Sequence, residues 1–101
     1  MAQSLDNGRF SRQIQAFGQT GQEKIAATRV GIVGLGGLGS HISQLLAYLG
    51  TRFFTLVDDD MVELSNLNRL IGATLQDVGQ SKVAVAARVI QAVSPSAHTR
   101  A

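Results

Sequence analysis

The sequence predicts an α/β fold in which a βαβ unit begins a parallel, doubly wound sheet that these residues leave incomplete. Two apolar runs rich in β-branched and aromatic residues, 29–34 and 52–58, flank a segment with helical periodicity. Parallel strands need a crossover of this kind between them. A glycine-rich turn, 34–39, joins the first run directly to the helical segment. We expect a right-handed crossover, as in nearly all such units.

Composition limits the class of protein. The chain has 101 residues, 45% of them hydrophobic, no cysteine and a formal net charge of +2. This length admits one folded domain, and within it disulfides, thiolate zinc sites and cysteine nucleophiles are excluded. No apolar run reaches the roughly 18 residues of a membrane helix, and the polar start is no secretory signal, so we expect a cytoplasmic protein. The cations are dispersed arginines for the most part, so this segment is not expected to bind nucleic acid.

The elements before the first strand are short. Residues 1–8 predict a disordered tail. A first short helix begins with Ser11 as its N-cap and ends at Gly18. A capping box over residues 20–23 begins a second short helix that ends near Ala27. The fold therefore carries two short N-terminal helices before the βαβ unit.

The βαβ unit follows in order. Residues 29–34 are apolar on both faces, as in a buried parallel strand. The helix is predicted over 40–49, with Gly50 ending it, and the second strand lies within 52–58. The apolar stripe of the helix consists of Ile42, Leu45, Leu46 and Leu49.

The rest of the chain, from residue 58 onward, is less regular. Residues 58–78 show no sustained periodicity apart from one helical turn predicted at 65–69. Residues 79–93 have a strong amphipathic pattern that predicts a helix, and Ser94-Pro95 ends it. The last residues would lead into a third strand.

The glycine turn carries the first functional signal. Gly34, Gly36 and Gly39 match the dinucleotide fingerprint in its required context, after a strand and opening a helix. One glycine makes the tight turn, one lets the backbone approach a phosphate, and one lets helix and strand pack closely. Asp58 lies about 20 residues further on, where an acid meets ribose hydroxyls. The pattern predicts a Rossmann-like nucleotide-binding unit, and the alternative is a glycine-rich turn without a ligand.

The residues around Asp58 bear on which nucleotide binds. A nicotinamide enzyme needs one acid at this strand end, whereas Asp60 alternates to the same side as Asp58 and can face Mg²⁺ held against phosphates. Amides and fixed cations downstream suit a polyphosphate. Each of them alone is also typical of a solvated turn or surface, but their combination favours ATP. These residues are Asn66, Asn68, Arg69 and Lys82.

Four segments together resemble a known family, the adenylating proteins related to ubiquitin-activating enzymes, which include ThiF and MoeB. The segments are RFSRQ (9–13), GLGGLG (34–39), VDDDMVELSNLNR (57–69) and DVGQSK (77–82). The resemblance spans about residues 9–96. It implies binding of ATP and Mg²⁺ and adenylation of the C-terminal carboxylate of a ubiquitin-like or sulfur-carrier protein. It also implies a homodimer or pseudo-dimer.

The same resemblance implies roles for single residues. Asp58 would hold the ribose, and Asp60 would lie near Mg²⁺. Arg12 matches an arginine that family members deliver into the neighbouring subunit's site, although a surface arginine on a short helix is the alternative. The phosphate loop would comprise Gly34, Gly36, Gly37 and Gly39, and the phosphate contacts would come from Asn66, Arg69 and Lys82.

Two departures from the family pattern stand out. Leu70 follows Arg69 where a glutamine is common. Family domains also continue beyond this length, with further strands, another aspartate near Mg²⁺ and, in many members, paired CxxC zinc motifs. Residues 9–101 are therefore expected to be the truncated N-terminal part of a ThiF-type adenylation domain, inactive alone, with any zinc bound further along.

Two other functions remain open from the residues alone. One is the half-domain of an NAD-dependent oxidoreductase, against which the paired glycines and the phosphate-directed cations argue. The other is a non-catalytic dimerisation module of an activating enzyme. The sequence identifies neither the carrier protein nor the fate of the adenylate, which could become a thiocarboxylate, a thioester, an amide or a cyclised tRNA base.

Overall fold

The computed structural model describes residues 8–101. Apart from Gly8, the tail predicted for residues 1–8 lies outside the described residues. The regular elements are, in order, α1 (Ser11–Ala27), β1 (Arg29–Val33), α2 (Gly37–Leu49), β2 (Phe53–Val57), the 3₁₀ turns Leu64–Asn66 and Leu75–Asp77, α3 (Lys82–Val93) and β3 (His98–Arg100). No helix in this described part is long and apolar enough to cross a membrane.

The three strands form one parallel sheet in the order β1-β2-β3. The register pairs Arg29 with Phe53 at one end of β1 and Val33 with Val57 at the other. On the other side of β2, Phe53 pairs with His98. The predicted parallel α/β architecture and the third strand are thus confirmed.

The core lies between one face of the sheet and helices α2 and α3. Leu56 of β2 and Ile90 of α3 are completely buried there, and Ala47 brings α2 into the same cluster. Burying a side chain such as leucine stabilises a fold by about 1.5–3 kcal/mol. The opposite sheet face is open, with Val33 83% exposed, as expected when both crossover helices lie on one side of a parallel sheet.

The N-terminal helical segment is divided at Gly18, whose backbone angles of φ 78° and ψ 165° interrupt α1. The two short helices of the prediction are therefore present, but their caps differ from it. Phe10, not Ser11, is the N-cap, and it makes no side-chain capping bond. Within residues 8–101 no hydrogen bond joins Thr20 to Glu23, because helical geometry resumes directly after Gly18 and Thr20 already lies inside the second helix.

Two glutamines fix α1 to the far end of α2. The side-chain amides of Gln13 and Gln22 both donate to the carbonyl oxygen of Leu49, at 3.0 and 3.1 Å. Gln13 also donates to the Gln22 side chain. Gly50 ends α2 in the left-handed conformation with φ 105°, as predicted.

The bounds of α2 and α3 differ from the sequence prediction. Helix α2 begins at Gly37, three residues earlier than predicted, because Gly36 already serves as its N-cap. The predicted start of α3 at Gly79 is wrong. Residues 79 and 80 instead bond to the loop backbone at Val62, which donates to Gln80 O and accepts from Gly79 N at 2.8 Å each. Helix α3 then begins at Lys82.

Candidate functional site

The glycine turn forms the strand-to-helix connection at the carboxyl end of β1. Gly34 has φ 92°, a conformation that favours glycine, and its N–H donates to Val57 O at 2.8 Å. A Cβ on Gly39 would lie only 1.9 Å from Gly34 O, so Gly39 allows helix and strand to pack together, as predicted. The turn thereby presents the N-terminus of α2, a favourable place for a phosphate, at this sheet edge.

Asp58 links this turn to the end of β2. Its Oδ2 accepts the N–H of Leu35 at 2.6 Å and its Oδ1 accepts the N–H of Asp60 at 2.8 Å. Partial burial alone would raise the pKa of Asp58, but the two backbone donors and the positive charge of Lys82 outweigh it and hold the pKa below its ordinary value. Asp58 is therefore ionised at neutral pH, and each oxygen keeps a further lone pair for a ligand hydroxyl.

The acidic turn after β2 has the composition of a cation site. Carboxylate oxygens of Asp58, Asp59 and Asp60 all lie within 4.8 Å of one another. The Asp60 side chain is 70% exposed, and the Lys82 ammonium, whose side chain is only 12% exposed, approaches it to 3.8 Å. Clustered carboxylates are ligands that suit Mg²⁺. Lys82 balances part of this negative charge.

Backbone pairing explains why Lys82 reaches the acidic turn. Met61 and Ser81 form an antiparallel bridge, and Lys82 N–H donates to Asp60 O at 3.0 Å. Ser81 is the N-cap of α3, and its side chain accepts the N–H of Ala84 at 3.0 Å. The first residue of α3 is thus fixed beside the carboxylates that follow β2.

Arg69 lies against the glycine turn. A Cβ on Gly37 would lie 3.5 Å from both Cβ and Cδ of Arg69, so the arginine stem runs along the first turn of α2. Its guanidinium Nη1 donates to Ser65 O at 3.3 Å and to Asn68 Oδ1 at 3.1 Å. At 3.5 Å, a Cβ on Gly37, a glycine beyond the three of the fingerprint, would be in ordinary van der Waals contact with the arginine stem, so a larger side chain there would crowd it.

Asn66 has a local structural contact. Its Oδ1 accepts the N–H of Glu63 at 3.1 Å, which closes the 3₁₀ turn before Arg69. Leu70, the departure from the family pattern, is buried with Val62 and Val85 beneath that turn. The amide of Asn66 thus helps to shape the segment that carries Arg69.

The structure therefore brings most of the predicted site residues to one edge of the sheet, where the strands end. The carboxyl ends of parallel strands are the usual ligand-binding edge in such sheets. Arg12 is not among them. It begins the helix whose Gln13 bonds to Leu49 O, at the opposite end of α2 from the glycine turn, roughly 18 Å away along that helix.

Sequence reasoning missed one buried acid close to the site. Asp77 is 4% exposed, and its Oδ2 accepts bonds from the Thr74 backbone, the Thr74 hydroxyl and Arg88. The spacing Thr74-x-x-Asp77 is typical of a capped turn and could have indicated this contact. The ion pair with Arg88 is a tertiary contact, so no local pattern in the sequence indicates it.

Comparisons with known proteins find similar sequences and structures. The sequence model of the ThiF family matches residues 10–101. The chain is 45% identical over 89 residues to the molybdopterin-synthase adenylyltransferase of Escherichia coli strain K12, covering 86% of this chain and 36% of that protein. It is 40% identical over 89 residues to the SAMP-activating enzyme E1 of Haloferax volcanii, covering 86% of this chain and 33% of that protein.

A solved structure is also similar. The E. coli tRNA N6-threonylcarbamoyladenosine dehydratase TcdA, crystallised in complex with ATP, superposes with a TM-score of 0.87 at 32% identity, covering 93% of this chain and 39% of that one. The chain thus spans about a third of the length of the curated relatives it matches.

Proposed function

The chain belongs to the ThiF family, and from this premise we propose that the protein adenylates the C-terminal carboxylate of a ubiquitin-like or sulfur-carrier protein, using ATP and Mg²⁺. One observation carries the proposal: the glycine turn, Asp58, Asp60 and Lys82 converge at one sheet edge. An enzyme related to this chain, TcdA, was crystallised with ATP. That a relative is a SAMP-activating enzyme E1 supports a carrier protein as the substrate.

The nucleotide would occupy the edge formed by the glycine turn. Backbone amides at the start of α2 suit the phosphates, because a helix N-terminus carries partial positive charge. Asp58 would accept hydrogen bonds from the ribose hydroxyls while it keeps its bonds to Leu35 and Asp60. This carboxylate would therefore fix both the ligand and the turn that binds it.

The donor set fits a hard divalent cation. Asp60 would be a ligand of Mg²⁺, since its carboxylate is exposed and lies in a cluster of three acids. Mg²⁺ bound there would neutralise phosphate charge. The Lys82 ammonium beside Asp60 would then turn toward the phosphates.

The reaction we propose is an in-line displacement. The carrier carboxylate oxygen forms a bond to the α-phosphorus, and the bond between that phosphorus and the bridging oxygen breaks, so that pyrophosphate leaves with the electron pair. No protein nucleophile is needed. Lys82 and Arg69, with Asn66 beside it, would stabilise the charge that develops, and positioning supplies most of the rate enhancement. In a homodimer, Arg12 would act in the site of the neighbouring subunit.

The experiment is ATP–pyrophosphate exchange, measured with the complete protein and a ubiquitin-like carrier. Asp60→Ala and Arg69→Ala should each lower exchange by about 100-fold, as removal of a charge-stabilising group does. Arg100→Ala on β3 is the control and should leave exchange unchanged, because Arg100 lines a separate pocket with Arg29 and Phe53. Full exchange by either site variant would refute the assignment. Tighter binding of NAD than of ATP with Mg²⁺ would favour an oxidoreductase instead.

A further inference from the structure

We propose that Asp77 is a positioning residue that holds Lys82 at the nucleotide site. The inference rests on the function proposed above and adds a residue to it. Asp77 lies outside the glycine turn and the acidic turn, and nothing in the proposed reaction uses its carboxylate directly. Its position in the network of contacts nevertheless connects it to Lys82 by two independent routes.

Asp77 is a buried carboxylate with three hydrogen bonds on one of its oxygens. Its Oδ2 accepts the N–H of Thr74 at 2.7 Å, the hydroxyl of Thr74 at 3.2 Å and Nη2 of Arg88 at 2.6 Å. The Asp77 side chain is 6% exposed, and that of Arg88 is 52% exposed. Because the buried carboxylate would be left short of donors if Thr74 or Arg88 were lost, these contacts constrain the surrounding backbone.

The first route to Lys82 runs through the backbone that follows Asp77. Gln80 N–H donates to Asp77 O at 3.0 Å, and Gln80 O in turn accepts the N–H of Val62 at 2.8 Å. Lys82 N–H then donates to Asp60 O at 3.0 Å. The main-chain carbonyl of Asp77 therefore holds one end of a short segment whose other end is Lys82, and the Asp77 carboxylate fixes that backbone position through Thr74 and Arg88.

The second route runs through helix α3. Arg88 lies on this helix, less than two turns after Lys82, which is its first residue. The bond between Asp77 and Arg88 fixes the helix relative to the loop that precedes it. The two routes together close a ring of contacts from Asp77 through Gln80 to Lys82 and back through α3 to Arg88.

This ring determines where the Lys82 ammonium lies. Lys82 is mostly buried, and its charged end reaches Asp60 at 3.8 Å, so a small shift of the helix start would carry it away from the carboxylates. Displacement of a functional group by about 1 Å can cost roughly 100-fold in activity. Loss of the Asp77 contact should therefore weaken recognition of phosphates more than recognition of adenosine.

The test is a double-mutant cycle in the complete protein, with binding of ATP with Mg²⁺ and of adenosine measured by calorimetry. Asp77→Asn should weaken ATP binding about tenfold in the wild-type background and less than about twofold in the Lys82→Met background, since one residue acts through the other. Adenosine binding should change less than about twofold in both. Arg88→Gln, altered at its exposed end, should reproduce this pattern if Asp77→Asn fails to fold.

The control is Ile90→Val, which removes one methyl group from the separate core cluster and destabilises α3 without touching Asp77. It should bind ATP as the wild type does. Equal losses in the wild-type and Lys82→Met backgrounds, or an equal loss in Ile90→Val, would overturn the inference and leave the proposed function standing. Failure of the wild-type protein to bind ATP would overturn both.

Discussion

Replacing Gly39 by alanine would place a Cβ 1.9 Å from the carbonyl oxygen of Gly34 and 3.0 Å from its carbonyl carbon. Both are backbone atoms of the glycine turn, so no change of rotamer relieves the clash. Overpacking typically costs about 1–3 kcal/mol and occasionally more, whereas alanine in a helix returns about 0.5–1 kcal/mol relative to glycine. Because the backbone must move, we expect Gly39→Ala to lower the free energy of unfolding by about 2 kcal/mol or more.

Gly37→Ala is the matched control, since it adds the same methyl group to the same helix two residues earlier. Its Cβ would lie 3.5 Å from the nearest atoms of Arg69, which is ordinary van der Waals contact. Because alanine has the higher helix propensity, the free energy of unfolding of this variant should equal that of the wild type or exceed it by up to about 1 kcal/mol. The same substitution thus has opposite expected effects at two neighbouring glycines.

Thermal unfolding followed by circular dichroism measures the difference. A loss of 1 kcal/mol lowers the Tm of a domain of roughly 150–250 residues by about 2–4 °C, so in the complete protein Gly39→Ala should melt at least about 4 °C below the wild type, while Gly37→Ala should melt at or slightly above it. ATP binding should fall in Gly39→Ala as well, because Gly34 has to move. Equal melting temperatures for the two variants would refute the packing argument.

Three further predictions concern the acidic turn and the helix caps. The pKa of Asp58 is lower in the folded state than in the unfolded state, so ionised Asp58 stabilises the protein above its unfolded-state pKa, and this stabilisation is lost as pH falls through the folded-state pKa. The free energy of unfolding, measured in urea as a function of pH, should show this loss for the wild type. An identical pH profile for Asp58→Asn would contradict the prediction. Asp60→Asn should raise the affinity for ATP in EDTA, because Lys82 loses its counter-ion, and it should reduce the increase in affinity that Mg²⁺ produces. Weaker ATP binding by this variant in EDTA would contradict the pairing of Asp60 with Lys82. Ser81→Ala should lower the free energy of unfolding by about 1 kcal/mol, because it removes the N-cap hydrogen bond of α3. Ser11 makes no capping bond, so Ser11→Ala should change the free energy of unfolding by less than about 0.5 kcal/mol. Chemical denaturation that ranks the two variants the other way would show the cap assignment to be wrong.

The βαβ unit could be predicted from sequence because its signals are local. Apolar runs, helical periodicity and the glycines at 34–39 each constrain a few neighbouring residues, and Gly50 ends α2 as its type suggests. The start of α3 could not be predicted in the same way. Helical periodicity extends back to Gly79, but pairing of Gly79 and Gln80 with Val62 competes with the helix, and that pairing is a tertiary contact.

The residues of the candidate site also differ in whether local sequence signals predict them. Asp58 follows the glycines at a spacing that the geometry of a parallel βαβ unit imposes, so its place at the sheet edge could be predicted. Its bond to Leu35 N–H shows why the spacing matters, since the carboxylate fixes the turn. Asp77 could not be assigned from sequence, because its importance comes from Arg88, which approaches it only in the folded chain.

The charge balance of the site bears on the need for a cation. Three carboxylates follow β2, while Arg69 and Lys82 supply two positive charges, and Lys82 already lies beside Asp60. A polyphosphate entering alone would meet a surface whose cations are offset by its acids, and it would add repulsion at short range. In the proposed function, a divalent cation arriving with the nucleotide would remove that repulsion and would replace Lys82 beside Asp60, so that the ammonium could contact a phosphate. The pairing of Asp60 with Lys82 would then make phosphate recognition depend on Mg²⁺, and a nucleotide without the metal would bind weakly for an electrostatic reason built into the turn.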